Sequence, residues 1–186
     1  MFDFNKTYKG INCCFFMIIK NKVFVILFLL LFLLAGCGEV SEGYSLYEDK
    51  SKDYSLERPA SWQQTSLQNN DIAFINSDKT MLLAVKSFEL QTDFSNYVTN
   101  MKDNIPKVLS GGVLLGEEKM NVAGNNAQKL VFSYGTGAGN FKYGAILIED
   151  KTKNRVVILT FTTVFEKYDY NYEILQHALN TLDLDV

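Results

Sequence analysis

Residues 142–163 read KYGAILIE-DKTKN-RVVILTFTT, two apolar runs on either side of five polar residues. Both runs contain many β-branched and aromatic side chains, which favour extended backbone. The polar segment at 150–154 has the composition of a turn. The stretch therefore predicts a β-hairpin with strands at 142–149 and 155–163.

Three more pairs of short runs precede this hairpin in the chain, each joined by turn-favouring residues. The pairs are 44–47 with 54–58, 71–75 with 81–88, and 114–122 with 127–134, and the third is joined by residues 123–126 (AGNN). Pro59 is expected to end the second run. Four hairpins in one chain predict an antiparallel β-sheet.

Two segments interrupt the strands with helical spacing. The first has apolar residues at i, i+3, i+4, i+7 and i+11, namely Phe94, Tyr97, Val98, Met101 and Ile105. Thr92 or Asp93 is placed to cap its amino end. Pro106 is expected to kink or stop this helix, and Gly111 and Gly112 end the region.

The second helical segment lies near the carboxyl terminus, and Asp169 is its expected N-cap. Its apolar stripe consists of Tyr168, Tyr172, Leu175, Ala178, Leu179 and Leu182. Each helix has one apolar face, which such helices bury against a sheet. The sequence predicts an α+β fold, with an antiparallel β-sheet flanked by two amphipathic helices.

Length and composition exclude several classes of protein. The 186 residues are 47% hydrophobic and 21% charged, which fits one domain plus an appendage. A balance of 18 basic against 21 acidic side chains provides no electrostatic surface for nucleic acid. One histidine and three cysteines are too few for a zinc site or a disulfide framework, so no cofactor is predicted.

The appendage is an apolar segment near the amino terminus. Residues 23–34 read VFVILFLLLFLL, with Lys20 and Lys22 before them and small residues after them. Twelve helical residues span about 18 Å, short of the roughly 30 Å hydrocarbon core, so the layout favours a signal peptide. An uncleaved signal anchor is the alternative. A signal starting at Met17 has a conventional length, which suggests that translation begins there.

Leu34, Ala35, Gly36 and Cys37 close this segment and resemble the lipobox of bacterial lipoproteins. The resemblance implies that Cys37 receives a diacylglyceryl group and, after cleavage, becomes the acylated first residue of the mature chain. The expected organisation is a signal peptide at 1–36, a lipidated tether at 37–43 and a globular domain at 44–186. The implied location is the extracytoplasmic face of the cell membrane, where fatty acyl chains such as palmitate provide the anchor.

Cleavage also changes the charge of the protein. Residues 1–36 contain four of the 18 basic and one of the 21 acidic side chains, so 14 basic and 20 acidic ones remain, a net charge of −6. Such a domain gains no attraction from anionic headgroups, so the acyl chains alone must hold the membrane. Cys37 is the only cysteine left, which excludes a disulfide within the mature domain.

Residues 54–62, YSLERPASW, carry a second resemblance. Together with the order of strands and helices over 44–184, this strand, proline and tryptophan resemble the PsbP and Mog1-like superfamily and its bacterial DcrB-like lipoprotein relatives. The resemblance implies a β-sheet domain flanked by helices and an accessory role on a membrane complex. The basic amino-terminal contact segment of the plant members is absent, so their photosynthetic role is not expected here.

Few side chains suggest a site. Asp169, Tyr170 and Glu173 form a possible partner patch, because Tyr170 points away from the apolar stripe of its helix. Spacing supplies His177 with neither a nucleophile nor an orienting carboxylate, so it is interpreted as a surface residue.

Three further features have structural interpretations. Residues 135–140 (GTGAGN) lie between two strands and are interpreted as a flexible hairpin loop instead of a phosphate-binding loop. Trp62 is expected to plug the core. Asp183 and Asp185 are interpreted as part of a solvated, mobile tail and not as a metal site.

The sequence thus predicts a lipoprotein that is not an enzyme. Its expected function is that of a protein-binding or accessory module of a membrane complex, with a protein partner at the membrane surface. The alternative is a lipoprotein that binds a ligand or a metal ion and passes it to a membrane partner.

Overall fold

The computed structural model describes residues 43–109 and 111–185. Within these residues, nine strands, two α-helices and one short 3-10 helix follow one another in the chain. The strands are β1 (Tyr44–Asp49), β2 (Tyr54–Pro59), β3 (Gln63–Thr65), β4 (Ile72–Ile75), β5 (Met81–Glu89), β6 (Val113–Val122), β7 (Asn125–Thr136), β8 (Gly139–Asp150) and β9 (Arg155–Val164). The helices are α1 (Phe94–Val108), the 3-10 helix Phe165–Lys167 and α2 (Tyr168–Asn180).

Seven strands form one antiparallel sheet in the order β3-β4-β5-β9-β8-β7-β6. The predicted hairpins β4–β5, β6–β7 and β8–β9 all lie in it, which confirms the predicted α+β class. The hairpin β1–β2 is also confirmed, but it forms a separate two-stranded sheet. Strand β3 was not predicted, because it has only three residues, all of them polar, and so gives no alternating apolar signal.

Each face of the large sheet carries its own apolar core. Alternate residues of β8 and β9 face opposite sides, so Ile146 and Leu159 join one cluster while Leu147 and Ile158 join the other. The β1–β2 hairpin and α2 cover the first cluster, which includes Trp62 as predicted. Helix α1 covers the second cluster. Both amphipathic helices therefore bury their apolar stripes against the sheet, as the sequence indicates.

The segment around Pro59 owes its shape to Arg58. The Arg58 guanidinium donates hydrogen bonds to the main-chain oxygens of Pro59, Ala60 and Trp62 at 3.0, 3.1 and 2.8 Å, and it lies 5.2 Å from the ring centre of Phe74. Pro59 is the last residue of β2, as predicted. These hydrogen bonds stabilise the turn between β2 and β3, which places Trp62 in the core with only 3% of its surface exposed.

Helix ends differ from expectation in two places. Helix α1 continues past Pro106 to Val108, because the Leu109 N–H donates to the oxygen of Ile105 and closes the last turn. Of the two effects expected of Pro106, a kink or an end of the helix, the end is therefore excluded. Asp93 is the N-cap residue of α1, although its side chain makes no capping hydrogen bond.

The N-cap predicted for α2 was wrong. Lys167 occupies that position, because the 3-10 helix leads directly into α2, and Asp169 lies in the first turn. A carboxylate there still interacts favourably with the positive end of the helix dipole.

Two hairpin connections are shorter than predicted. Ala123 and Gly124 alone join β6 to β7, with φ of 49° and 78°, as a two-residue turn with left-handed backbone requires. Strands β7 and β8 reach Thr136 and Gly139, so only residues 137 and 138 of the predicted loop at 135–140 lie outside the ladder. The hairpin was predicted correctly, whereas most of its flexible loop is strand.

Candidate functional site

The exposed face of α2 carries the three residues predicted to form a partner patch. Asp169, Tyr170 and Glu173 are all exposed, and Tyr170 is 81% exposed. Tyr168 and Tyr172 face the sheet instead, where Tyr168 is buried and Tyr172 packs against the core. The structure thus places Asp169, Tyr170 and Glu173, here named the α2 patch, on one side of the helix.

Lys142 of β8 forms an ion pair with Asp169 of the α2 patch. Its Nζ lies 3.0 Å from Oδ2 of Asp169 and packs at 4.8 and 5.4 Å from the ring centres of Phe165 and Tyr168. Aromatic faces attract cations, which favours this position for the ammonium group. Asp169 therefore meets solvent as half of an ion pair, whereas Glu173 has no ion pair with any described residue.

His177 does have a carboxylate neighbour, which spacing alone did not reveal. Its Nε2 lies 2.7 Å from Oε2 of Glu57 on β2, and the ring of Tyr44 stacks on the imidazole at 3.5 Å between centres. The nearby Thr181 hydroxyl donates to the main-chain oxygen of His177 and accepts from the Glu57 N–H. These contacts tie α2 to the β1–β2 hairpin, and they engage the hydroxyl in main-chain bonds that leave it poorly placed as a nucleophile.

The carboxyl-terminal segment is fixed against the fold, so the prediction of a mobile tail was wrong. Asp183 and Ser55 exchange two main-chain hydrogen bonds of 2.9 Å, and Leu182 and Leu184 are buried. Asp185 lies 3.5 Å from the ammonium group of Lys153. No group of three or more His, Cys, Asp or Glu residues in the described part of the chain could hold a metal ion.

A buried ion pair anchors this segment. The Arg155 side chain donates to Asp150 at 2.7 Å and to the main-chain oxygens of Lys52, Asp53 and Leu184. Burial by itself raises the pKa of Asp150, but hydrogen bonds from Thr152 and Arg155 outweigh it and lower the pKa below its ordinary value. Three distant segments of chain are therefore joined through one guanidinium group.

A groove of about 620 Å³ lies on the other face of the sheet, between α1 and the β6–β7 hairpin. Phe94 and Val98 line it from α1, and Lys119 and Gln128 line it from the hairpin. The ion pair between Lys102 of α1 and Glu117 of β6, 2.6 Å long, bridges the two sides. This volume is in the range of sites that bind small molecules or short peptides.

Phe94 and Val98 were predicted as part of an apolar helix stripe, but the sequence did not predict the groove that they line. The predicted pairing of 114–122 with 127–134 already placed these two strands side by side. The predicted four-residue turn, however, gives a strand register that differs from the observed one. The observed two-residue turn places Lys119 directly opposite Gln128. Only the backbone of that turn, with φ of 49° at Ala123, determines which side chains meet.

Cys37, the predicted lipidation residue, lies outside the described residues, as do the predicted signal peptide and nearly all of the tether. None of the described helices is long and apolar enough to cross a membrane.

Comparison with known proteins places the fold. No family model and no curated protein sequence matches the chain. Among solved structures, the cyanobacterial PsbP (CyanoP) of Synechocystis matches with a TM-score of 0.62 at 12% identity, over 80% of this chain and 97% of that one. The chain has a PsbP/Mog1-like fold.

Two further structures share the PsbP/Mog1-like fold. The Ran-binding protein Mog1p of Saccharomyces cerevisiae matches with a TM-score of 0.57 at 10% identity, over 77% of this chain and 96% of that one. LpqN, involved in cell envelope biogenesis of Mycobacterium tuberculosis, matches with a TM-score of 0.50 at 12% identity, over 79% and 88%. At these identities the likeness shows the fold alone, and the expected PsbP/Mog1-like fold is confirmed.

Proposed function

We propose that this protein is a bacterial lipoprotein, held at the extracytoplasmic face of the cell membrane through acyl chains on Cys37, and that its domain binds a protein partner there. The membrane part of the proposal rests on the apolar segment 23–34 and the lipobox that ends at Cys37. Two or three acyl chains give stable anchoring, because each buried methylene contributes about 0.8 kcal/mol.

The observation that carries the binding function is the exposure of Tyr170. A tyrosine that is 81% exposed on a helix anchored by Lys142 offers a large amphipathic surface whose backbone is already fixed. Tyrosine is enriched at the energetic centres of protein interfaces, because its ring packs while its hydroxyl forms a hydrogen bond. Glu173 on the same side adds a charge that can select the partner.

The comparisons are consistent with an accessory or protein-binding role. A Ran-binding protein and a protein involved in cell envelope biogenesis have the same fold, so this architecture supports such roles in other chains. Within the described residues, the pairing of His177 with Glu57 links two elements and presents no activated nucleophile. We therefore propose binding and not catalysis.

Photocrosslinking in native membranes tests this function. A photoreactive residue replaces Tyr170 in the full chain, and a control places it at Lys50, whose side chain is 83% exposed in the turn after β1. The expected result is one discrete crosslinked protein from position 170 and none from position 50. Equal or absent crosslinking at both positions would exclude the α2 patch as the docking surface.

The groove beside α1 favours a second candidate, a lipoprotein that binds a small ligand and delivers it to a membrane partner. Its volume of about 620 Å³ and its mixture of apolar and polar walls suit a small solute. Thermal unfolding of the purified protein with panels of metal ions and small solutes distinguishes the candidates. A concentration-dependent rise in Tm with one solute supports this function, and an unchanged Tm across the panels contradicts it.

A further inference from the structure

The side-chain amide of Gln128 faces the groove without a hydrogen-bond partner among the described residues. Gln128 is 8% exposed, and its amide makes no hydrogen bond with any described residue. A primary amide has two N–H donors and a carbonyl acceptor. A ligand in the groove that both donates and accepts hydrogen bonds can therefore engage it in place of water.

Lys119 provides a second recognition element next to this amide. It stands opposite Gln128 in the β6–β7 ladder and also lines the groove. Lys102 and Glu117 neutralise one another at 2.6 Å, whereas Lys119 has no ion pair with any described residue. The cation available to a ligand is therefore beside the unpaired amide.

The wall across from these two side chains is apolar. Phe94 and Val98 of α1 pack on the core with one side and line the groove with the other, so both are only partly buried. Further burial of their exposed carbon by a ligand side chain is favourable in proportion to the apolar area covered. The groove thus combines an amide, a cation and an apolar wall.

We propose that this groove binds an extended peptide segment in which an acidic side chain lies next to an apolar one. In an extended chain the main-chain N–H and carbonyl of one residue point to the same side, so the N–H donates to Oε1 of Gln128 and the carbonyl oxygen accepts from Nε2. The acidic side chain pairs with Lys119, and the apolar side chain packs against Phe94 and Val98.

An extended chain fits better than a compact solute because of the neighbouring strand. Residues 117–120 of β6 line the groove, and β6 is one of the two edge strands of the seven, with no strand beside its outer edge among the described residues. Exposed strand edges present N–H and carbonyl groups at the spacing of another extended chain. This site is distinct from the α2 patch, which lies on the other face of the sheet.

Two peptide libraries test the proposal on the full-length protein in detergent. Both contain random hexapeptides, one with glutamate and the other with glutamine fixed at the third position, and retained peptides are identified by mass spectrometry. The expected result is retention from the glutamate library, with an apolar residue beside the fixed position. Equal retention from both libraries, or none, would overturn the proposal.

The most enriched peptide, labelled with fluorescein, then reports affinity by fluorescence anisotropy. Gln128→Leu and Lys119→Gln are each expected to weaken binding about tenfold, since each removes one or two hydrogen bonds. Replacing the peptide glutamate by glutamine should weaken binding to the wild type and have little further effect on Lys119→Gln. Unchanged affinity in both groove variants would show that the peptide binds elsewhere.

Tyr170→Ala is the matched control, and it keeps this test separate from the proposed function. Full peptide affinity in Tyr170→Ala is expected, and its loss would assign the peptide to the α2 patch. Gln128→Leu should remain folded, because the amide makes no hydrogen bond with a described residue and leucine is a side chain of similar size. If it does not fold, the exposed Lys119→Gln variant decides the outcome.

Discussion

Gly144→Ala is expected to destabilise the domain through a single contact. The backbone of Gly144 on β8 lies directly beneath Tyr168 of α2, and a Cβ atom there would collide with the Tyr168 hydroxyl oxygen and lie 3.2 Å from Cζ. Tyr168 is 3% exposed, so its ring has little room to move away. Overpacking of this kind costs about 1–3 kcal/mol.

The Tyr168→Phe background isolates that contact. The hydroxyl is buried without a hydrogen-bond partner among the described residues, so its removal is expected to leave stability unchanged or raise it slightly. Without the oxygen, the nearest remaining atom is Cζ, which needs to shift by only a few tenths of an ångström. The cost of Gly144→Ala should therefore fall by about 1 kcal/mol or more in this background.

Urea unfolding of residues 44–186 measures all four proteins of this cycle, with Gly116→Ala as the control. A Cβ at Gly116 on β6 meets no atom within 4 Å, so that variant should be neutral or slightly stabilising. The four proteins should share one m-value, which ensures that midpoints report stability. Equal losses from Gly144→Ala with tyrosine or phenylalanine at position 168 would refute the proposed contact.

Four other outcomes are expected. Leu179→Ala should cost about 2–5 kcal/mol in urea unfolding, whereas the exposed Tyr170→Ala should cost far less; equal losses would contradict the register of α2. The lowered pKa of Asp150 stabilises the fold above the ordinary carboxyl pKa of about 3.9. That contribution is lost as pH falls through the folded-state pKa, so Asp150→Asn should reduce the loss of stability between about pH 5 and 2, and an unchanged profile would exclude this carboxyl as the cause. Cys37→Ala should abolish incorporation of labelled fatty acid and leave the precursor uncut, and persistent labelling would exclude the lipobox. Deletion of residues 1–16 should leave lipidation intact if Met17 is the start, and failed membrane targeting would show that the longer signal is needed.

Much of the fold follows from short-range patterns. Alternating apolar residues and turn signals predicted the pairs β1–β2, β4–β5, β6–β7 and β8–β9, because both strands of a hairpin and its turn are adjacent in the chain. The turn at 123–124 is an exception, because its length was predicted wrongly although its two strands were predicted correctly. Positive φ at Ala123 is unusual for a residue with a side chain, so composition favoured a longer connection and missed the register that joins Lys119 to Gln128.

The sites divide in the same way. The 3.6-residue period alone placed Tyr170 outside and Tyr168 inside, and the structure agrees. The helical period does not predict the ion pair between Lys142 and Asp169, because Lys142 lies on β8 and Asp169 on α2, with β9 between them in the chain. The Glu57 partner of His177 and the fixing of Leu184 by Arg155 were missed for the same reason.

By itself, then, the sequence determined the hairpins and the two amphipathic helices, since each depends on residues within a few positions of one another, and lipidation of Cys37 stays a prediction. Tertiary structure decided that β5 pairs with β9, that β1–β2 leaves the main sheet, and that α1 and α2 cover opposite faces. A period of two shows which side of a strand is apolar and says nothing about which strand lies beside it. That choice is made only when both faces of the sheet are buried at once, because a strand in the wrong place would leave one apolar face in water.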